Sequence, residues 1–315
     1  MSTSPAPHDR PELPRGRTWE IVAGPYRAGI AAVGAIVEHL TVDGRDLLVR
    51  NPATGPMQFY RGAVVAPWPN RIGDGRYTWD GQDIQAPLTE PDRQNALHGL
   101  VSFVPFEEVS SADEAVTLRT LLYPSPGYPF ALELTVEHRV DAETGLTTTV
   151  TARNVGDQDA PYGVCPHPYL VAGPEPLDTW TLRTSVGTVM TVTPDRLLPT
   201  GLVRVDEGGE FDFREGKVLG SQEIDHAFTD LGRDEQGLAR VVVTAPGGTG
   251  VEMVADERCP WLQLHTADRP EPENNRLGLA VEPMTCPPDA FRSGDGVIRL
   301  APGASHEAAW SVRGL

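Results

Sequence analysis

The chain has 315 residues, 26 of them basic and 44 acidic, for a formal charge of −18. Hydrophobic residues make up 39% and charged residues 22%, a globular balance; no apolar run approaches the roughly 18 residues that span a bilayer. The acidic excess excludes a generic nucleic-acid binder, which needs a basic face to neutralise phosphates.

Residues 1–17 carry Pro5, Pro7, Pro11 and Pro14 and no apolar core, so they read as a disordered leader and not a secretory signal. Ordered structure is expected from Thr18. Beyond it, 32 glycines and 30 prolines punctuate the whole chain, a density that would break helices and instead marks turns between short strands. Residues 30–37 are short, rich in Gly and Ala and uncapped, and are expected to form a strand. Residues 77–79 read as a short strand between Gly75 and Gly81. In residues 131–140, Leu132, Leu134, Val136 and Val140 alternate with Glu133, Thr135, Glu137 and Arg139, the pattern of a half-buried antiparallel strand. The turn Glu143-Thr144-Gly145 joins it to residues 146–152 as a hairpin. A second hairpin is expected from residues 240–244 and 250–254 around Pro246, Gly247 and Gly248. A third is expected from residues 297–300 and 308–312 around Pro302 and Gly303. No repeat or linker divides residues 18–315, so they predict one domain, an all-β fold built as a large antiparallel β-sandwich. Cys165, Cys259 and Cys286 are too few for a disulfide framework and match no zinc spacing, which points to reduced thiols in a cytoplasmic protein.

Chemistry-bearing residues cluster where the alternation breaks. His167 stands between Pro166 and Pro168, whose fixed φ stiffens the backbone that presents the imidazole. An unperturbed pKa near 6.5 suits it to proton transfer; a structural, hydrogen-bonded histidine is the alternative. Glu282 follows the apolar residues 277–281 and precedes Pro283. A buried carboxylate there needs a partner or a ligand, and burial raises its pKa toward that of a general base; an ion pair with a nearby Arg is the plainer reading. Arg71, after Asn70 in a loop crowded by Pro67, Trp68 and Pro69, offers a planar fork for a carboxylate or two sugar hydroxyls; a structural salt bridge fits it equally. His98 precedes Gly99, whose missing Cβ permits close ligand approach, although a core histidine is the simpler reading. Asp225 and His226 are adjacent and face opposite ways in a strand, so only one enters a site. Asp225 is favoured, because a carboxylate accepts from two vicinal hydroxyls. There is no phosphate loop, dinucleotide fingerprint, H-E-x-x-H or G-x-S-x-G.

Together, Asn70-Arg71-Ile72, Leu97-His98-Gly99, His167-Pro168-Tyr169-Leu170, Asp225 upstream of Phe228, Glu282-Pro283-Met284-Thr285 and Pro288-Asp289-Ala290-Phe291 resemble the aldose 1-epimerase (galactose mutarotase) family, in order and over roughly residues 20–315. The chain departs from many members in having Pro166 before the histidine and Leu170-Val171 after Tyr169, a divergent bacterial version of the motif. The resemblance implies a β-sandwich enzyme that interconverts the α and β anomers of a free aldose without cofactor or metal. It implies Glu282 as general base, His167 as general acid, and Arg71, His98, Asp225 and Asn70 as sugar-binding residues. Trp68, Tyr169, Trp261 and Phe291 are candidates to cover the sugar's apolar face. The expected partner is a small sugar, with no nucleic acid or membrane, and the chain a monomer or weak homodimer. Three other functions stay open: a hexose-6-phosphate 1-epimerase, for which Arg93 is the extra cation; a glycoside hydrolase using Glu282 and Asp225; and a non-catalytic sugar-binding protein.

Overall fold

The computed structural model describes residues 14–315. Residues 1–13 of the expected leader lie outside them. The chain is already tied down before its first strand: Arg15 donates to the carbonyls of Pro52 (3.0 Å) and Gly55 (2.7 Å) and pairs with Glu38.

Alternating side chains build two large antiparallel sheets. The nine-stranded sheet runs, edge to edge, Glu107–Ala112, Ala115–Leu122, Leu132–Asp141, Gly145–Asn154, Ser305–Gly314, Gly250–Ala255, Ala239–Thr244, Thr181–Thr184 and Lys217–Val218. The six-stranded sheet runs Tyr169–Leu170, Leu279–Met284, Trp261–His265, Asp225–Thr229, Thr188–Val192 and Pro199–Arg204. A four-stranded sheet, Thr18–Ala23 to Arg45–Asp46, covers one end. The large sheets share one core: Val136, Val150, Val243 and Met253 from one pack with Phe228, Leu262, Leu264 and Val281 from the other. Burying such side chains contributes about 1.5–3 kcal/mol each, which fixes the register of both sheets.

The first two expected hairpins form, with Asp141 opposite Gly145 and Thr244 opposite Gly250. Two expectations fail. Residues 30–37 are not one strand: 30–31 end Tyr26–Ala31, 36–37 begin Ile36–Val42, and 32–35 turn between them, with Gly34 and Ala35 both at positive φ. The third hairpin does not form either. Ile298–Leu300 pairs with Ala160–Tyr162, while Ser305–Gly314 inserts between Gly145–Asn154 and Gly250–Ala255. The chain turns there, but each strand pairs with a ladder distant in sequence. Among the described residues, no helix is long and apolar enough to cross a membrane.

The period of two also sorts the six-stranded sheet's other face. Leu262 and Leu264 turn to the core, so Gln263 and His265 turn away from it. On the flanking strands, Glu282 lies opposite Gln263 and Asp225 opposite His265. Four polar side chains therefore project from one patch of sheet, and loops from the first hundred residues roof it.

Candidate active site

The roofed patch is a cleft of about 450 Å³ that contains all six side chains singled out in the sequence. His167 and Glu282 form its floor, 4% and 2% exposed. Backbone bonds pin His167, its N–H to Ala63 O at 3.1 Å and its carbonyl accepting from Gly62 at 2.9 Å. The imidazole lies between Tyr169 and Tyr60, with centroids at 5.2 and 6.0 Å and rings near parallel. Its Nε2 is 3.4 Å from Glu282 Oε1, and the other Glu282 oxygen faces the buried Cys165 thiol at 3.9 Å.

Burial drives these two groups toward their neutral forms. It pushes His167 down to about 3, with His265 adding to the effect. It raises Glu282 well above the carboxylate range, and Asp225 reinforces this while Arg71 opposes it. Asp225 behaves the other way. Burial works against its charge, but His265, Arg71 and Gln263 hold its carboxyl below the ordinary value. Gln263 Nε2 donates to Asp225 Oδ1 at 2.6 Å, and His265 Nδ1 stands 3.9 Å from Oδ2.

On the roof, Arg71 makes a bidentate pair with Glu90 at 2.9 and 3.1 Å and reaches toward Asp225 at 3.8 Å. Burial opposes its charge, yet Asp225 and Glu90 outweigh that and raise its pKa, so it stays a fixed cation. Asn70 holds φ at +54° and caps the Arg71 N–H with Oδ1 at 3.0 Å. Its carbonyl accepts from His98 N at 2.8 Å, which couples the two loops. Burial also pushes His98 well below the ordinary histidine value, with His167 and Arg71 adding to it. Four buried polar atoms of cleft residues have no protein partner: Arg93 Nε, His98 Nδ1, His167 Nδ1 and Gln263 Oε1. Buried polar atoms without partners are uncommon in folded proteins, and these belong to residues that line the cleft.

A sequence profile of the family "Aldose 1-epimerase" matches residues 17–313. The chain belongs to the aldose 1-epimerase family. Among relatives of this family, the uncharacterised Escherichia coli K12 protein YihR is 34% identical over 301 residues, 95% of this chain and 94% of that one. The galactose mutarotase of Rattus norvegicus is 30% identical over 226 residues, 67% of this chain and 63% of its own. The fold matches a putative aldose 1-epimerase from E. coli K12 with a TM-score of 0.80 at 22% identity, covering 95% of this chain and 99% of that chain. It matches a galactose 1-epimerase from Lactobacillus acidophilus NCFM with a TM-score of 0.77 at 20% identity, covering 95% and 93%.

For an aldose 1-epimerase fold, several expectations about the surroundings of the cleft need correction. Trp68 and Phe291 pack on each other in the core at 5.6 Å, and Trp261 packs beside Met284 and Val65. Of the four expected aromatics only Tyr169 lines the cleft, joined there by Phe59 and Tyr60. Gly99 is required for a different reason than ligand approach: a Cβ would sit 2.1 Å from the Ala66 carbonyl oxygen, at φ +63°. The expectation that only one of Asp225 and His226 enters the site is not met: Asp225 shares the face of Gln263, and His226 also lines the cleft, where it packs on Phe211 at 4.9 Å. Cys259 is buried in the main core.

Sequence reasoning assigned no place in the cleft to Glu90, Gln263, His265, Tyr60 or Arg269. Gln263 and His265 left a signal, as polar residues alternating with Leu262 and Leu264 on an apolar strand. Glu90 left none, because its partner Arg71 is distant in sequence. Arg269 lines the cleft above Phe59 at 4.5 Å, its guanidinium 3.4 Å from His265 Nε2. Arg93 instead turns to Glu90 at 3.2 Å.

Proposed function

We propose that this cleft interconverts the α and β anomers of a free, neutral aldose by opening and reclosing the sugar ring. The observation that carries this reading is the His167–Glu282 pair, two proton-transfer groups 3.4 Å apart facing a cleft lined with hydrogen-bonding side chains. Ring opening takes one proton from the anomeric hydroxyl and gives one to the ring oxygen. The enzyme's proton count is therefore unchanged, and one proton on the pair suffices.

Glu282 as carboxylate accepts the anomeric proton while His167 as imidazolium donates to the ring oxygen. At that moment Glu282 is protonated and His167 neutral, the state that burial favours for each group. Burial favours the same neutral pair in the free enzyme, so the reactive carboxylate–imidazolium pair is formed against burial, with Arg71 opposing the rise at Glu282. Rotation about the C1–C2 bond and reversal of both transfers gives the other anomer. Arg71, held by Glu90, and Asp225, held by Gln263, grip hydroxyls, with Asn70 and His98 completing the ring of donors and acceptors. Tyr60 and Tyr169 supply the apolar wall.

The neutral-sugar assignment is supported by Arg71 and Arg93 both being engaged by Glu90, while Arg269, which lines the same cleft, has no carboxylate pair among the described residues and is the cation a phosphate ester would use. The three buried free thiols fit a reducing cytoplasm. A monomer or weak homodimer with no partner beyond a small sugar is enough for this chemistry. A hydrolase reading has one observation behind it, the opposite pKa shifts of Glu282 and Asp225. Release of p-nitrophenol from aryl glycosides tests it, and the epimerase reading expects none.

A further inference from the structure

His98, His167 and Glu282 come from three separate segments, and their donor atoms all lie within 4.8 Å of one another. We infer that this trio is also a binding site for Zn²⁺, held by two imidazoles and one carboxylate, and that an ion seated there shuts the cleft to sugar. The closing of the cleft rests on the epimerase reading; the ion binding does not.

The geometry is close to ready. Zinc bonds of about 2.0–2.2 Å place neighbouring tetrahedral ligands about 3.3 Å apart. His167 Nε2 and Glu282 Oε1 already stand at 3.4 Å. The His98 donor atom, within 4.8 Å of the other two, must approach by no more than about 1.5 Å. The backbone does not need to move: His167 is pinned between prolines, His98 is bonded to Asn70, and Glu282 is mid-strand. Three nitrogen and oxygen ligands leave a fourth position for water, the pattern of an open zinc site, and the cleft has room for it. The charges also permit a dication. Glu90 offsets Arg71, and Asp225 adds a second carboxylate to the same cleft.

The same structure argues against a resident ion. A ligating imidazole ordinarily donates its second N–H to a carboxylate or carbonyl that fixes the ring. The Nδ1 of His167 is buried without any such partner. The ion is therefore held loosely and exchanges, so it acts as a reversible inhibitor. It occupies the lone pairs that proton transfer needs, and chelation frees them.

Isothermal titration of the chelator-treated full chain with ZnCl₂ at neutral pH tests this. One ion per chain with micromolar affinity is expected, with no binding of Mg²⁺. His98→Gln and Glu282→Gln, with fold checked by circular dichroism, should each weaken Zn²⁺ roughly tenfold or more, and His39→Gln should not. Cobalt(II) bound to the wild type should show nitrogen and oxygen ligation without a thiolate charge-transfer band, a readout that needs no variant to fold. In anomer exchange, Zn²⁺ should inhibit competitively with sugar and EDTA should reverse it. No saturable binding, a thiolate band, or undiminished binding in both site variants would overturn the site. Exchange that is unaffected by bound Zn²⁺ would overturn the closing of the cleft. A chain that binds Zn²⁺ as described yet accelerates no anomer exchange would sink the epimerase reading and leave the site standing.

Discussion

Glu282→Gln separates catalysis from architecture at the floor of the cleft. The amide matches the carboxyl in volume and keeps a polar atom opposite His167 Nε2, now 3.4 Å from Glu282 Oε1. It cannot accept a proton. Loss of one general acid/base group lowers kcat by about 10²–10⁴-fold, or about 3–5 kcal/mol of barrier, and KM should change little because Arg71 and Asp225 still hold the hydroxyls. Stability should move the opposite way. The folded pKa of Glu282 is raised by burial. Its contribution is therefore intact below the ordinary carboxylate value near 4.3 and is lost as pH rises toward the folded value, by about 1.4 kcal/mol per pH unit. Glutamine never ionises, so the variant should melt at or above the wild-type temperature at neutral pH. Polarimetry on a freshly dissolved anomer gives kcat and KM, and a thermal melt gives stability. Near-normal turnover, or activity lost only in step with unfolding, would refute the general-base role.

Three other outcomes follow from the same structure. Gly99→Ala forces a Cβ to 2.1 Å from Ala66 O at a positive φ, so it should destabilise by several kcal/mol, on the order of a strained backbone plus overpacking, read by urea denaturation. His138 is fully buried, bonded to Thr148 Oγ1 and Ala35 O, and pushed down to about 4 by burial. Its folded pKa is depressed, so stability present above pH 6.5 is lost as pH falls toward 4, about 1.4 kcal/mol per unit; His138→Gln should flatten that slope in urea melts, and an unchanged slope would remove His138 as its source. Glucose should have a higher kcat/KM than glucose 6-phosphate at low salt, and Arg269→Ala should leave the glucose value within a few-fold; a phosphate ester preferred in the wild type and not in Arg269→Ala would establish an acidic-sugar enzyme.

What was legible in the sequence followed local periodicity. The pairing of Leu132–Asp141 with Gly145–Asn154 is written in alternating Leu and Val around an obvious turn. The false third hairpin shows where that logic stops. Pro302-Gly303 does turn the chain, but the partners of the two flanking segments, Ala160–Tyr162 and Gly145–Asn154, lie far off in sequence. Rigid or polar motifs that interrupt apolar strands marked His167, Glu282, Arg71, His98 and Asp225 as candidates, and the family resemblance turned these and Asn70 into one set. Their supports were not legible. Glu90 grips Arg71, and Tyr60 packs on both His98 and His167, through contacts that only the closed fold creates. The wrong aromatic choices have the same origin, since Trp68 and Phe291 look identical in sequence whether they face a sugar or each other.

The account stands on one measurement above the rest: one-dimensional exchange NMR of the α and β anomeric protons of glucose, galactose and a panel of other aldoses, with and without the protein, in EDTA. The account predicts that catalytic amounts speed exchange of at least one neutral aldose, without cofactor, and that Glu282→Gln slows it by 10²-fold or more. Exchange at the uncatalysed rate for every aldose, with a folded wild-type protein, would contradict it.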